Sequence, residues 1–542
     1  MRHCNRTSLL YFGLGIAAAI SCMIYFRHNT NTQNTNLGSH IIDTGGPGTH
    51  AMSRPVITVG SGLAGLAAAY EALRAGAKVH MLDRAPKPGG NSIKASSGIN
   101  GAGTRFQRDK GISDDSARFY DDSVRSAGAR LHSSSDGGGG PGEAERRELI
   151  KMLTSRSADA VEWLADEIGV DLAAVAQLGG HSVARTHRGA GRGPPPGAAI
   201  VGALLKRLGA DPGFTLTSAA EVEALTLGDD GAVVGVRYKK TEGDGGETHE
   251  EELRGPVVFA AGGFAGDAHG LVAQHRPDLA GMPSTNEARP GPHGLLSDAG
   301  ATLVDMDSLQ IHPTGFVDPA DPTATYKFLA AEALRGEGGI LLAPGSGRRF
   351  VDEMGRRDAV SAAVMALPRS EAAWEAGGAR QWDVTLLLDL GACEASASHL
   401  GFYVAKGLMR RVKVRDLEPA VVEAVDRYAA AVAAGADDEF GRASFGSWRL
   451  PPGEANRDQE VAVGTVTPVT HFTMGGVAFD PQARVLGREE GGALAPIGGL
   501  WAAGEITGGL HGDNRLGGSS LLECVVFGRI AGAEAAKLAA SG

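Results

Sequence analysis

Gly60, Gly62 and Gly65 form a G-x-G-x-x-G between an apolar stretch, Pro55–Val59, and an Ala/Leu-rich run, Leu63–Ala75. Few patterns restrict a fold as tightly. The first glycine permits a sharp strand-to-helix turn, the second lets backbone approach a pyrophosphate, and the third allows close helix packing. The helix amino terminus then faces phosphate charge, and Leu63 and Ala64 inside the motif belong to the same contact. A second apolar strand, Ala77–Asp83, ends in a carboxylate placed to accept hydrogen bonds from a ribose. The chain is therefore expected to be α/β, with a Rossmann-like domain built on a parallel sheet.

The ligand of such a motif is NAD or FAD, and the remaining glycines bear on the choice. Small and polar residues recur at Gly89–Ser92, including Gly90 and Asn91, and at Ser96, Ser97, Gly98 and Ile99. An apolar strand, Pro256–Ala260, runs into Gly262 and Gly263. Near the carboxyl end stand Gly504 and Glu505, then Gly517, Gly518, Ser519 and Ser520, opening a helix read over Leu521–Leu538. The 80 glycines make about 15% of the chain, twice the usual ~7%, and show no collagen period. A ligand touched by both ends of the chain is long, which favours FAD over NAD.

The first part of the cofactor domain is expected over 54–315 and its second part over 471–542. A hairpin is expected around Asp229, Asp230 and Gly231, and a low-complexity surface loop over Ser133–Gly142. The middle, 316–470, is richer in helical Ala/Glu/Arg patterns and reads as an inserted α+β capping domain. A net charge of −11 excludes a dominant nucleic-acid footprint. Cys4, Cys22, Cys393 and Cys524 form no C-x-x-C and no zinc spacing, so no metal site or disulfide scaffold is expected. Cys393 and Cys524 read as small core residues. Ser8–Phe26 is uncharged over 19 residues, about 28 Å as helix and just enough to span a hydrocarbon core. It reads as a retained membrane anchor or a cleaved targeting peptide within a segment 1–27. The flank bears Arg2, Arg6 and Arg27 and lacks acid before Asp43, which fits a mitochondrial signal, with the endoplasmic reticulum as the alternative. His28–Ser53 reads as a flexible tether.

Five segments follow the nucleotide motif: Gln310–Thr314, Glu332–Gly336, Arg349–Glu353 leading to Arg357 and Asp358, His471–Gly476, and His511–Gly518. In this order they resemble the soluble fumarate reductases, the flavoprotein group shared by bacterial flavocytochromes and yeast-type enzymes. The resemblance implies an FAD-dependent reductase of fumarate. It places Arg515 with His471 on one substrate carboxylate and His312 on the other. Arg357 becomes the proton donor, fed by Glu332 and Arg335. To the cofactor contacts it adds Arg84, Val222, Asp298 and Leu521, beside Gly262, Gly504, Glu505, Ser519 and Ser520. No c-type haem motif occurs, and Gly89–Gly111 holds no histidine that could attach a flavin, so FAD is expected to be noncovalent and haem absent. Electrons then come from a separate donor: reduced free flavin, a nicotinamide system or another protein.

Arginine suits the task because its planar fork matches carboxylate geometry bidentately. Other readings stand beside these. Arg335, Glu332 and Arg357 could form only a structural ion-pair network, and His312 could be a satisfied turn histidine. The basic run Arg185, His187 and Arg188 reads as a solvated face. Where relatives carry Thr before the Glu-x-x-Arg segment, this chain has Ala331, which opens the substrate to urocanate- or acrylate-like acids. A non-catalytic, membrane-tethered flavoprotein is the remaining alternative.

Overall fold

Val56–Val59 is buried at every residue because it lies inside a sheet covered on both faces. In the computed structural model, which describes residues 54–132, 140–190, 193–241, 246–371, 375 and 378–541, this strand pairs in parallel with Val257–Phe259 and Val79–Asp83. Leu494–Ala502 and Phe214–Ser218 extend the sheet, also in parallel, and Arg484–Arg488 closes one edge antiparallel, making six strands. The helix after the glycine motif spans Leu63–Arg74. The last helix, Ser519–Ser541, is longer than its apolar pattern indicates.

These two helices bring the chain ends together through missing side chains. A Cβ at Gly528 would lie 2.5 Å from the Ala64 carbonyl oxygen, and one at Gly532 only 2.0 Å from that of Ala68. The helices therefore meet backbone to backbone, and the Gly517–Ser520 turn is drawn to the same end of the sheet as Gly60–Gly65.

The expected hairpin forms from Ala220–Leu227 and Val233–Thr241, and a third antiparallel strand, Thr248–Arg254, joins it. That strand is almost wholly exposed and acidic, so it carries no hydrophobic alternation to read. The helical middle of the chain also contributes a sheet. Glu460–Thr473 pairs antiparallel with Leu309–Phe316, Val384–Leu388 and Arg410–Lys413, and Phe328–Leu329 and Ile340–Leu342 complete its six strands.

One irregularity in this second sheet positions the site. Gln310 faces Phe472 and Ile311 faces Thr470, so His471 is an extra residue bulged out of register. Gln310 and His312, two residues apart, share one face of their strand. The bulge turns His471 toward them, and the two imidazole rings meet edge to face at 5.4 Å.

Among the described residues no helix is long and apolar enough to cross a membrane. The apolar run Ser8–Phe26, the tether after it and most of the Ser133–Gly142 stretch lie outside the described residues. Cys393 and Cys524 are buried free thiols.

The helix contact is open to test. Replacing Gly532 by Val should lower stability by about 1–3 kcal/mol, the usual cost of overpacking, whereas Gly294→Ala, with nothing within 4 Å, should be neutral or slightly stabilising. Denaturant unfolding of the two variants would check this.

Candidate active site

A single amide oxygen organises the buried centre. Gln310 Oε1 accepts from Arg357 Nη1 at 2.9 Å and from Arg515 Nη2 at 2.8 Å. Arg357 also donates through Nε, at 2.7 Å, and through Nη2 to Glu332 Oε2. The other Glu332 oxygen accepts from the Gly179 amide at 3.0 Å. Glu332 and Arg335 lie on one short helix, Glu332–Gly336, and Arg357 opens the helix Arg357–Met365. That helix is tied to the Gln310 strand by Ser361 Oγ, which donates to the Ile311 carbonyl at 2.9 Å.

Arg515 comes from the loop between the last sheet strand and the last helix. Several bonds hold the loop: Ser126 Oγ donates to the Asn514 carbonyl at 2.6 Å, Ser308 Oγ to that of Gly512 at 2.6 Å, and Gln310 Nε2 to that of Arg515 at 2.7 Å. The Arg515 guanidinium stacks 4.2 Å from the centroid of Phe472. It is only 2% exposed.

The structure thus brings together Arg357, Glu332, Arg335, His312, His471 and Arg515. One link of the expected relay is open. Arg335 Nη1 donates to the Glu353 carbonyl at 2.6 Å, while its Nε and Nη2, together with Arg515 Nε and His312 Nε2, are buried without partners. Such orphaned donors are costly unless a ligand meets them.

Electrostatics follow from burial. Burial, with Arg357 beside each ring, drives His312 and His471 well below the usual histidine range, so both are neutral. Burial opposes charge on Glu332, but Arg357 and Arg335 outweigh it and hold its carboxyl down at about 2. Burial and the neighbouring Arg357 bring Arg515 down to about 9. Glu353 and Asp437 are matched by Arg349 and Arg442. Around Gln310, three guanidinium groups therefore face one directly paired carboxylate, a local surplus of two positive charges that Glu523 and Glu505 offset only from farther off, through Arg515.

The glycine motif has the geometry of a phosphate cradle. Gly60 is left-handed, at φ +103°, and a Cβ there would strike the Ala260 carbonyl at 2.4 Å; Gly65 lies as close to Gly60. Asp83 Oδ2 accepts from the amide of Ser61 at 2.7 Å and from its hydroxyl, and Oδ1 accepts from Ala85 N at 2.7 Å. Asp83 thus braces the loop, and a carboxylate retains further acceptor capacity. A Cβ at Gly90 would come within 3.3 Å of Gly62 Cα and one at Gly504 within 3.0 Å of Ala64 Cβ, and Ser92 Oγ accepts from the Leu63 amide. Asn100 Nδ2 ties Gly517 and Ser519 to the strand holding Ile99. Ser96 Oγ is buried without a partner. These residues fit a nucleotide laid across both chain ends. Burial and the nearby Glu523 raise Glu505 to about 7. Val222 lies in the hairpin, and Arg84 Nη1 donates to the Pro290 carbonyl. Asp298 is exposed at the end of the helix His293–Asp298.

The basic run behaves differently from a solvated face. Arg185 is fully buried in ion pairs with Asp114 and Asp122, and His187 bonds Thr104 Oγ1 at 2.8 Å. Only Arg188 pairs near the surface, with Glu337. Distant acids supply the charge that makes burial tolerable. Two contributors to the centre went unassigned from sequence. Gln310 opens the segment Gln310–Thr314, but its role needs both arginines in place. Gly179 meets Glu332 only through tertiary packing, and no local signal marks it.

Over residues 55–521 the sequence matches the family described as FAD binding domain. It is 39% identical over 502 residues to a fumarate reductase of Schizosaccharomyces pombe, covering 89% of each chain. Fumarate reductase 1 of Saccharomyces cerevisiae is 40% identical over 499 residues, covering 88% of this chain and 97% of that protein. The solved open conformation of a flavocytochrome c3 fumarate reductase superimposes with a TM-score of 0.66 at 30% identity, over 90% of this chain and 79% of that one.

Glu332 compensates the buried guanidinium groups whatever else it does. Glu332→Ala should cost about 3–5 kcal/mol by stranding them, read as a lower denaturation midpoint; an unchanged midpoint would mean the cluster is already solvated.

Proposed function

We propose, from the premise that this chain belongs to the fumarate reductase family of FAD-binding flavoproteins, that it reduces fumarate to succinate in the cavity around Gln310. The observation that carries this is the buried surplus of two positive charges, edged by unpartnered donors on Arg335, Arg515 and His312. A planar dianion with a carboxylate at each end neutralises that surplus. A monoanion such as acrylate or urocanate leaves one charge unmet.

FAD would be held noncovalently along the glycine cradle, by the residues around Gly60–Gly65, Gly90 and Gly517–Ser520. When bound and reduced, it supplies hydride chemistry. The protein supplies orientation and charge. Arg515 and His471 hold one carboxylate, and His312 with Arg335 holds the other. Withdrawing charge from one carboxylate polarises the double bond, and water is excluded by burial. Arg357 donates a proton from its guanidinium to the second alkene carbon. Glu332, ionised at working pH, passes the replacement from Arg335, whose free Nε and Nη2 leave it able to turn toward the carboxylate. In total, fumarate gains two electrons and two protons.

Ala331 offers no hydroxyl here, and its amide instead donates to Tyr403 Oη at 3.2 Å. Recognition at that end then rests on imidazole and guanidinium. The 316–470 segment acts as the cap over the cofactor domain. The donor is a reduced flavin, a nicotinamide system or a redox protein. Segment 1–27 carries the chain to a membrane, that of the mitochondrion first.

The direct test is oxidation of a reduced low-potential dye by the FAD-loaded protein with fumarate, acrylate and urocanate in parallel. Fumarate should be turned over fastest, and no dye oxidation with FAD bound would overturn the reading. Arg357→Ala should keep the flavin spectrum while kcat falls by at least about 10²–10⁴-fold, the range for losing a positioned acid. Above pH about 9 Arg515 loses its proton and the surplus falls to one charge, so kcat/KM for fumarate should drop there. A profile flat through that range would remove Arg515 from substrate binding.

A further inference from the structure

Both cationic arms of the cavity lean on one neutral group, and its neutrality has a consequence. Gln310 is 3% exposed, and its carboxamide cannot turn over: Oε1 faces two guanidinium groups, while Nε2 donates to the Arg515 carbonyl and, at 3.2 Å, to Asn514 Oδ1. Two buried arginines sharing an acceptor would ordinarily be served by a carboxylate, which accepts more strongly. Glu332 does that for Arg357 alone. A second carboxylate at position 310 would halve the buried surplus and compete with the ligand for Arg515 Nη2.

We propose that Gln310 is a specificity-determining and positioning residue. Its amide oxygen fixes the spacing of Arg357 and Arg515, and its lack of charge preserves the two positive charges that select a dicarboxylate over a monocarboxylate. The inference rests on the dicarboxylate reading above, but its test does not need turnover. The other groups facing Gln310 add no charge: His312 shares its strand face and His471 is the bulged residue beside it, both neutral. Phe472 lies opposite in register. Position 310 is therefore a neutral site in the cluster where an isosteric change adds a negative charge without removing Glu332 from Arg357.

The experiment compares wild type, Gln310→Glu and Gln310→Met, all loaded with FAD, by calorimetric titration of the oxidised proteins with succinate. Gln310→Glu keeps both acceptor bonds but, like Gln310→Met, loses the Nε2 donor bonds to the Arg515 carbonyl and Asn514; it should weaken succinate by at least about ten-fold through the added negative charge and the oxygen–oxygen repulsion. Gln310→Met, neutral but without an acceptor, should bind succinate within about three-fold of wild type, yet lower kcat by about ten-fold as Arg357 loses its second hold. Equal losses of succinate binding in the two variants, or none in Gln310→Glu, would overturn the inference. Should Gln310→Glu not retain FAD, Gln310→Met decides: lost succinate binding or unchanged kcat there overturns it. Failure of wild type to turn over fumarate would strike the proposed function instead, since succinate binding is read separately.

Discussion

The centre of this molecule is a set of like charges held together inside protein. Arg357 and Arg515 converge on one amide oxygen, and among the described residues Glu332 is the carboxylate that pairs with Arg357. Arg335 lies fully buried on the same helix as Glu332 without a salt bridge to it among the described residues. Guanidinium groups taken from water lose several kcal/mol of hydration each, and repulsion between them adds to the cost. The arrangement persists because the surrounding framework is stiff and pays that cost through packing elsewhere. It is stable as a receptor for negative charge more than as a set of contacts.

That framework has two parts. A parallel sheet and its helices bring the two chain ends into one nucleotide cradle, through glycines that let backbone meet backbone at Gly528 and Gly532. An antiparallel sheet carries Gln310, His312 and His471 on adjacent strands, and a single bulge aims the second histidine. The loop bearing Arg515 leaves the first sheet and ends against the second, locked by Ser126, Ser308 and Gln310. The buried guanidinium cluster and the glycine cradle thus belong to separate scaffolds that share one seam.

Legibility from sequence followed the range of the interactions. The strand–glycine–helix unit was readable because local backbone geometry demands those residues at that spacing. Asp513 stands two residues before Arg515, but that carboxylate pairs with Arg130, and Arg515 donates instead to Gln310, some two hundred residues away. Arg185 looked like solvated charge because Asp114 and Asp122, its partners, belong to another element. The polar strand Thr248–Arg254 was missed because it is paired on a hairpin edge with its side chains in water.

By itself, the sequence determined the nucleotide fold, the family and the identity of the charged side chains, since each depends on short-range patterns of glycine, hydrophobicity and residue type. The tertiary structure alone decided which of those charges remain unpaired. Net charge in a buried cavity is a sum over groups from distant segments, and burial shifts which of them are ionised. Two neutral histidines, one ionised glutamate and three arginines become one buried cluster only once a strand bulge, a helix start and a terminal loop close around the same amide.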